Sequence, residues 1–146
     1  MRALVFLFLV AAANAKVFTQ CEIAKVFKNA GMDGYRGRTG TISLDDWVCT
    51  AYHESRYKTD AFNDRNRDGT KDYGIFQINN HWWCTDGHPS HNGCKISCSS
   101  LLNDDISDDI RCAKQVAREQ GIVAWNGWKD FCKGKDISHF TRDCGL

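Results

Sequence analysis

Glu54 and Asp72 stand eighteen positions apart, the first at the end of a stretch with helical periodicity and the second opening a run of β-formers. Their contexts are His53-Glu54-Ser55 and Asp72-Tyr73-Gly74-Ile75-Phe76-Gln77-Ile78-Asn79. One carboxyl in an apolar setting beside another in a polar one is what cleavage of a glycosidic bond needs. The pair alone carries little weight, because most Asp and Glu residues are solvated surface groups. Its meaning depends on the elements that bring two distant positions together.

Two other constellations invite a metal. His88-x2-His91-x2-Cys94-x3-Cys98 has the look of a zinc ligand set. Asp64-x-Asn66-x-Asp68-Gly69 imitates the start of an EF-hand loop, but its twelfth position is Ile75 rather than Glu, so that reading fails. The zinc reading loses ground to the cysteine count, taken up below.

The elements follow from periodicity and capping. Ile23, Val26, Phe27 and Ala30 recur at helical spacing and Gly31 follows as a stop, which predicts a first helix. Ser43-x-x-Asp46 resembles a capping box before Leu44, Trp47, Val48 and Ala51, so a second helix is expected to run to about Tyr57. Glu54 then sits in its last turn, where the helix dipole disfavours a carboxylate. Asp68-Gly69 is a hairpin signal ahead of Tyr73, Ile75, Phe76 and Ile78. Residues 81–100 read as an irregular loop pinned by disulfides. Ser107 is expected to cap a third helix with Ile110, Ala113, Val116 and Ala117 on its apolar side, and a short fourth helix is expected near Trp125 to Cys132. Helices on either side of a β segment predict an α+β domain of two lobes with a cleft between them.

The chain opens with Arg2, an apolar run from Ala3 to Ala13, and the small-x-small site Ala13-Asn14-Ala15. That run is too short and wrongly flanked for a membrane anchor. A secretory leader over 1–15 is expected, with a mature, extracellular chain from Lys16. Residues 16–146 make one domain's worth of chain, with a single proline in the whole sequence and no repeats or linkers. Removing Arg2 takes the formal charge from +1 to 0, so neither nucleic acid nor an anionic membrane is indicated as a partner. All eight cysteines lie after the leader. An even count in a secreted chain implies disulfides rather than zinc thiolates. Sequence alone leaves on the order of a hundred pairings open.

At this point the residues resemble a known family over nearly the whole mature chain. Lys16-Val17-Phe18 with Cys21, Trp47-Val48-Cys49, His53-Glu54-Ser55, Asp72 through Asn79, Trp82-Trp83-Cys84, Ala124-Trp125 and the order of all eight cysteines are similar to the c-type lysozymes and the α-lactalbumins. The resemblance implies the bridges Cys21–Cys144, Cys49–Cys132, Cys84–Cys98 and Cys94–Cys112. It implies a lysozyme-like α+β fold, a helical lobe plus a small antiparallel β-sheet lobe over roughly 58–101, with a saccharide cleft between. The implied substrate is the β-1,4 linkage of bacterial peptidoglycan between N-acetylmuramic acid and N-acetylglucosamine, with chito-oligosaccharides as related ligands. The implied protein is a monomer that requires no cofactor.

By the same resemblance Glu54 is the general acid, kept protonated by an apolar wall at Trp125, and Asp72 is the ionised nucleophile or stabiliser of a retaining reaction. Lysozymes are themselves the reference example of this acid pair, so these roles are carried over rather than derived. Asn66 and Asn79 are expected to hydrogen-bond near Asp72, Gln77 to line the same floor, Trp82 and Trp83 to contact sugar rings, and Ala124 with Trp125 to border the cleft. The stretch Ser100 to Asp109 resembles the calcium elbow of some relatives. The ligands would be the Asn103, Asp108 and Asp109 side chains with the Ser100 and Asp105 carbonyls. Asn103 departs from the Asp of those relatives and loses one charge.

Other departures concern reach and charge. The loop through Arg36 to Ser43 is slightly long, and Glu119 to Val123 is a residue short against some relatives. A net charge of 0 implies weaker salt dependence than in the basic lysozymes, and implies bond cleavage more firmly than killing of intact bacteria. A non-catalytic, saccharide-binding relative is the alternative; retention of both Glu54 and Asp72 favours the enzyme.

Overall fold

The structure, a computed structural model, describes residues 15–146; the expected leader lies outside the described residues except for Ala15. Helix α1 (Gln20–Asn29) opens on a capping box, in which the Thr19 hydroxyl accepts from the Glu22 amide and the Glu22 carboxylate accepts from the Thr19 amide. It buries Ile23, Ala24 and Phe27. The long loop expected after it is instead a hairpin of β1 (Tyr35–Gly37) and β2 (Gly40–Ile42).

Helix α2 (Leu44–Ser55) starts at the Ser43/Asp46 capping box read from the sequence. It stops short of Tyr57 because Arg56 and Tyr57 both take left-handed conformations, at φ 55° and 66°. Glu54 is thereby left in its last turn. The helix buries Trp47, whose indole meets Phe76 and Trp125 edge-on at 5.9 Å each and donates to the Met32 carbonyl. Trp47 and Phe76 are fully buried, and this aromatic core pins the β lobe to the helices.

The β lobe is an antiparallel sheet in the order β3 (Phe62–Asn63), β4 (Asp72–Tyr73), β5 (Ile78–Asn79). These strands are shorter than the run of β-formers suggests. Gly74, at φ +83°, turns the chain between β4 and β5, and Ile75 and Phe76 enter the core instead of extending a strand. A Cβ at Gly74 would lie 2.2 Å from the Leu101 carbonyl oxygen, so only glycine fits this bend. The register has a consequence for chemistry: Asn63 pairs with Asp72, and Asp72 with Asn79, so three polar side chains line up across the sheet.

The loop beyond is tied by Cys84–Cys98 and Cys94–Cys112; Cys49–Cys132 joins α2 to the chain after α4, and Cys21–Cys144 joins the two ends. These are the four bridges the resemblance implies. On a loop-closure estimate the outermost alone stabilises the fold by about 3–5 kcal/mol. Helix α3 (Ser107–Gln120) is not capped by Ser107 as expected. Ser107 is its first residue, and the Asp105 carboxylate accepts from both the Ser107 amide and hydroxyl. Helix α4 (Asn126–Phe131) follows a single 3-10 turn at Ile122–Ala124. Among the described residues no helix is long and apolar enough to cross a membrane.

Candidate active site

Asp72 sits at the middle of the three-stranded sheet, and the loop between β3 and β4 folds back over it. The Asn66 side-chain amide donates to Asp72 Oδ2 at 2.9 Å, and the Asn63 amide donates to the same oxygen at 3.3 Å. The Asn79 amide donates to Asp72 Oδ1 at 2.9 Å. Thr70 Oγ1 accepts from both Asn66 and Asn79, and it donates to Asp68. Donors thus approach both carboxyl oxygens, an arrangement suited to a group that only accepts.

Glu54 has the opposite surroundings. Burial is the largest influence and pushes its carboxyl up to about 7. The Gly127 amide, which donates to Oε2 at 2.9 Å, pulls the other way, and the charges of Asp72 and Asp130 add to the rise. Gly127 permits the approach, since a Cβ there would lie 2.7 Å from the same oxygen. The two carboxyls therefore contrast within one space, the first mainly neutral below about pH 7 and the second cradled by amides.

That space is a cleft of about 560 Å³ between the lobes, lined by Glu54, Asn66, Asp72, Gln77, Asn79, Trp82, Trp83, Ala124 and Trp125 among others. Every position singled out for substrate contact lies on it. Gln77 donates to the Ala61 and Gly74 carbonyls and forms part of the floor. The adjacent indoles diverge: Trp82 is 50% exposed, while Trp83 is 8% exposed and packs where Gly93 leaves room. Trp125 is buried and donates its indole N–H to the Phe76 carbonyl at 2.8 Å, which makes it both core and cleft wall. Asn63, Thr70, Gly127 and Asp130 were not legible as site residues. The spacing Asn63-x2-Asn66 ahead of a strand is a signal for the first; nothing near Gly127 in sequence marks its closeness to Glu54.

The metal constellations fare differently. Cys94 and Cys98 are both disulfide-bonded, which removes the zinc reading. Cys49, His53 and Cys132 cluster within 4.8 Å, but the two sulfurs are bonded to each other and are not thiolates. A calcium site is not shown at the expected set, whose side chains have other surroundings as placed. Asn103 Oδ1 accepts from the Asp105 amide, Asp108 pairs with Arg111 at 2.7 Å, and Asp109 is fully buried beside Gly74.

Asp109 carries a stability prediction. Neither of its oxygens has a hydrogen-bond partner. Burial pushes its carboxyl up to about 8, against a weaker opposing pull from the Asp109 and Ile75 amides. A carboxyl raised from 3.8 to about 8 holds its proton in the folded chain after the unfolded chain has lost it, so its stabilising contribution falls as pH rises through that window. Asp109→Asn does not titrate. At pH 8.5 it should exceed the wild type in stability by on the order of a few kcal/mol, and by little at pH 4. Urea midpoints at the two pH values measure this. A variant less stable than wild type at pH 8.5, with the loss growing in millimolar calcium, would mean that the carboxylate turns outward to hold the ion.

With this geometry in hand, the comparisons with known proteins agree. A family model described as the C-type lysozyme/alpha-lactalbumin family matches residues 16–144. The Lysozyme C of Takifugu rubripes is 53% identical over 100% of both chains. Lysozyme C-1 of Mus musculus is 51% identical over 92% of this chain and 90% of its own. The crystal structure of lysozyme from Equus asinus superposes with a TM-score of 0.83 at 48% identity, covering 90% of this chain and 100% of that one. The chain belongs to the C-type lysozyme/alpha-lactalbumin family. Within it the chain is an enzyme, a glycoside hydrolase of the lysozyme type.

Proposed function

We propose that the protein is a secreted muramidase that hydrolyses the β-1,4 bond between N-acetylmuramic acid and N-acetylglucosamine in bacterial peptidoglycan, with retention at the anomeric carbon. The observation that carries this reading is the contrast between Glu54, pushed up to about 7 by burial, and Asp72, held by amide donors in the same cleft.

The Gly127 amide occupies Glu54 Oε2 as an acceptor, which leaves the proton on Oε1. That proton passes to the glycosidic oxygen as the bond to the anomeric carbon breaks. The Asp72 carboxylate meets the resulting positive carbon, as nucleophile or as counter-charge. Water then adds to that carbon, any bond to Asp72 breaks with its electron pair returning to the carboxylate, the Glu54 carboxylate takes the water's proton, and the acid is restored. Proton source, carboxylate and water all come from the chain and the solvent, so the reaction requires no cofactor. Trp82, half exposed, offers a flat apolar face to a sugar ring.

The test is digestion of purified peptidoglycan with identification of the new reducing ends. Free N-acetylmuramic acid ends, first seen as the β anomer, are expected. Binding of wall fragments without any new reducing end would favour the non-catalytic relative instead.

A further inference from the structure

Trp82 is the most exposed aromatic on the cleft, and one of its two faces is already taken. The His91 imidazole lies parallel to the indole, with centroids 4.6 Å apart and planes 7° apart. The His81 ring meets the indole edge-on at 4.6 Å and lies 5.3 Å from His91, nearly perpendicular to it. His91 does not line the cleft itself.

The backbone fixes this stack. The His91 amide donates to the His81 carbonyl and the Gly93 amide to the Trp82 carbonyl, each at 2.9 Å, so segments 81–83 and 91–94 run side by side. Within the second segment Asn92 takes a left-handed conformation, at φ 49°. Ser90 donates to the Cys84 carbonyl and accepts from the Asn92 amide. Cys84–Cys98 and Cys94–Cys112 anchor both segments. His91 is therefore presented from a braced turn.

We infer that His91 is a positioning residue for saccharide binding: its ring holds the Trp82 indole in one orientation with the remaining face toward the cleft. This rests on the proposal that the cleft binds a glycan. A half-exposed indole without a backing ring samples several rotamers, and a sugar that stacks on it must first select one. A ring already stacked on the opposite face makes that selection in advance. The preference of aromatic pairs for such stacking converts to about a two- to tenfold effect on affinity.

Binding of a chito-oligosaccharide, followed by tryptophan fluorescence in a Glu54→Gln parent, tests this without turnover. His91→Ala should raise Kd by about two- to tenfold, and His91→Phe, which keeps a flat ring, should restore the parent value. In a Trp82→Ala background His91→Ala should have no further effect. In the catalytically intact chain the loss should fall on KM rather than kcat. An unchanged Kd in His91→Ala, a His91→Phe variant as weak as His91→Ala, or an equal loss with Trp82 already removed would each overturn the assignment. A parent that binds no oligosaccharide would overturn it together with the glycan reading. If the parent binds but the wild type cleaves no wall, the hydrolase reading alone fails, and the binding arms still decide the role of His91.

Discussion

Replacing Glu54 by Gln should cut peptidoglycan turnover by about 10²–10⁴-fold or more while leaving fold and saccharide affinity near wild type. The amide is almost the same size and shape as the neutral carboxyl, and its oxygen can keep the hydrogen bond from the Gly127 amide. What it lacks is a proton acidic enough to give to a leaving oxygen. The fold should not suffer, because the native side chain is already held mainly uncharged below pH 7. Initial rates on purified wall, with thermal melts run alongside, make the measurement. Retention of more than about a tenth of wild-type turnover would remove Glu54 from the role of acid.

Asp72→Asn should lose both activity and stability, for a reason visible in its neighbours. An amide at position 72 must turn its NH₂ either toward the Asn79 donor or toward the Asn66 and Asn63 donors, so every orientation sets donor against donor. Asn66 resists flipping to relieve this, because its own oxygen accepts from Asn63 at 2.9 Å. Asn79 resists as well, since its oxygen accepts from the His81 amide at 2.9 Å. One donor left without a partner at this half-buried site costs at most about 1–3 kcal/mol, less where water from the cleft reaches it. Losing the carboxylate that meets developing charge should cost at least about 10²-fold in rate, although the remaining dipoles leave a residue of activity. Turnover on a soluble oligosaccharide and the urea midpoint report the two effects. Activity equal to wild type would sink the paired-carboxylate mechanism. A rate loss with no change in midpoint would mean that the amide cradle is looser than described.

Local chemistry carried much of this in the sequence. The Ser43/Asp46 capping box placed α2 and, with it, Glu54 in a last turn. The Asp68-Gly69 signal marked the chain reversal that returns β4 beside β3. The disulfide pairing came from family resemblance alone, because spacing cannot choose among so many connectivities. Tertiary terms account for what was missed. Ile75 and Phe76 are good strand formers, yet Gly74 bends the chain and the aromatic core takes both side chains. Gly127 reaches Glu54 across 73 positions, beyond the range of any local pattern. The acidic run at Asp104 to Asp109 looks uniform in sequence, but it divides in the fold. Asp104 accepts from the Lys16 amide and Thr59, Asp105 from Ser107, Asp108 pairs with Arg111, and Asp109 is buried.

The pH dependence of kcat/KM on a soluble oligosaccharide tests the contrast between the two carboxyls most directly, because it reports the ionisations of the free enzyme. Glu54 must be protonated and Asp72 ionised at once, so the profile should be bell-shaped. Its alkaline limb should fall with a midpoint of about 7, where Glu54 loses its proton. Activity that fades instead near the ordinary glutamate value of 4.5, or that persists undiminished into alkaline solution, would contradict a buried, protonated Glu54 as the acid.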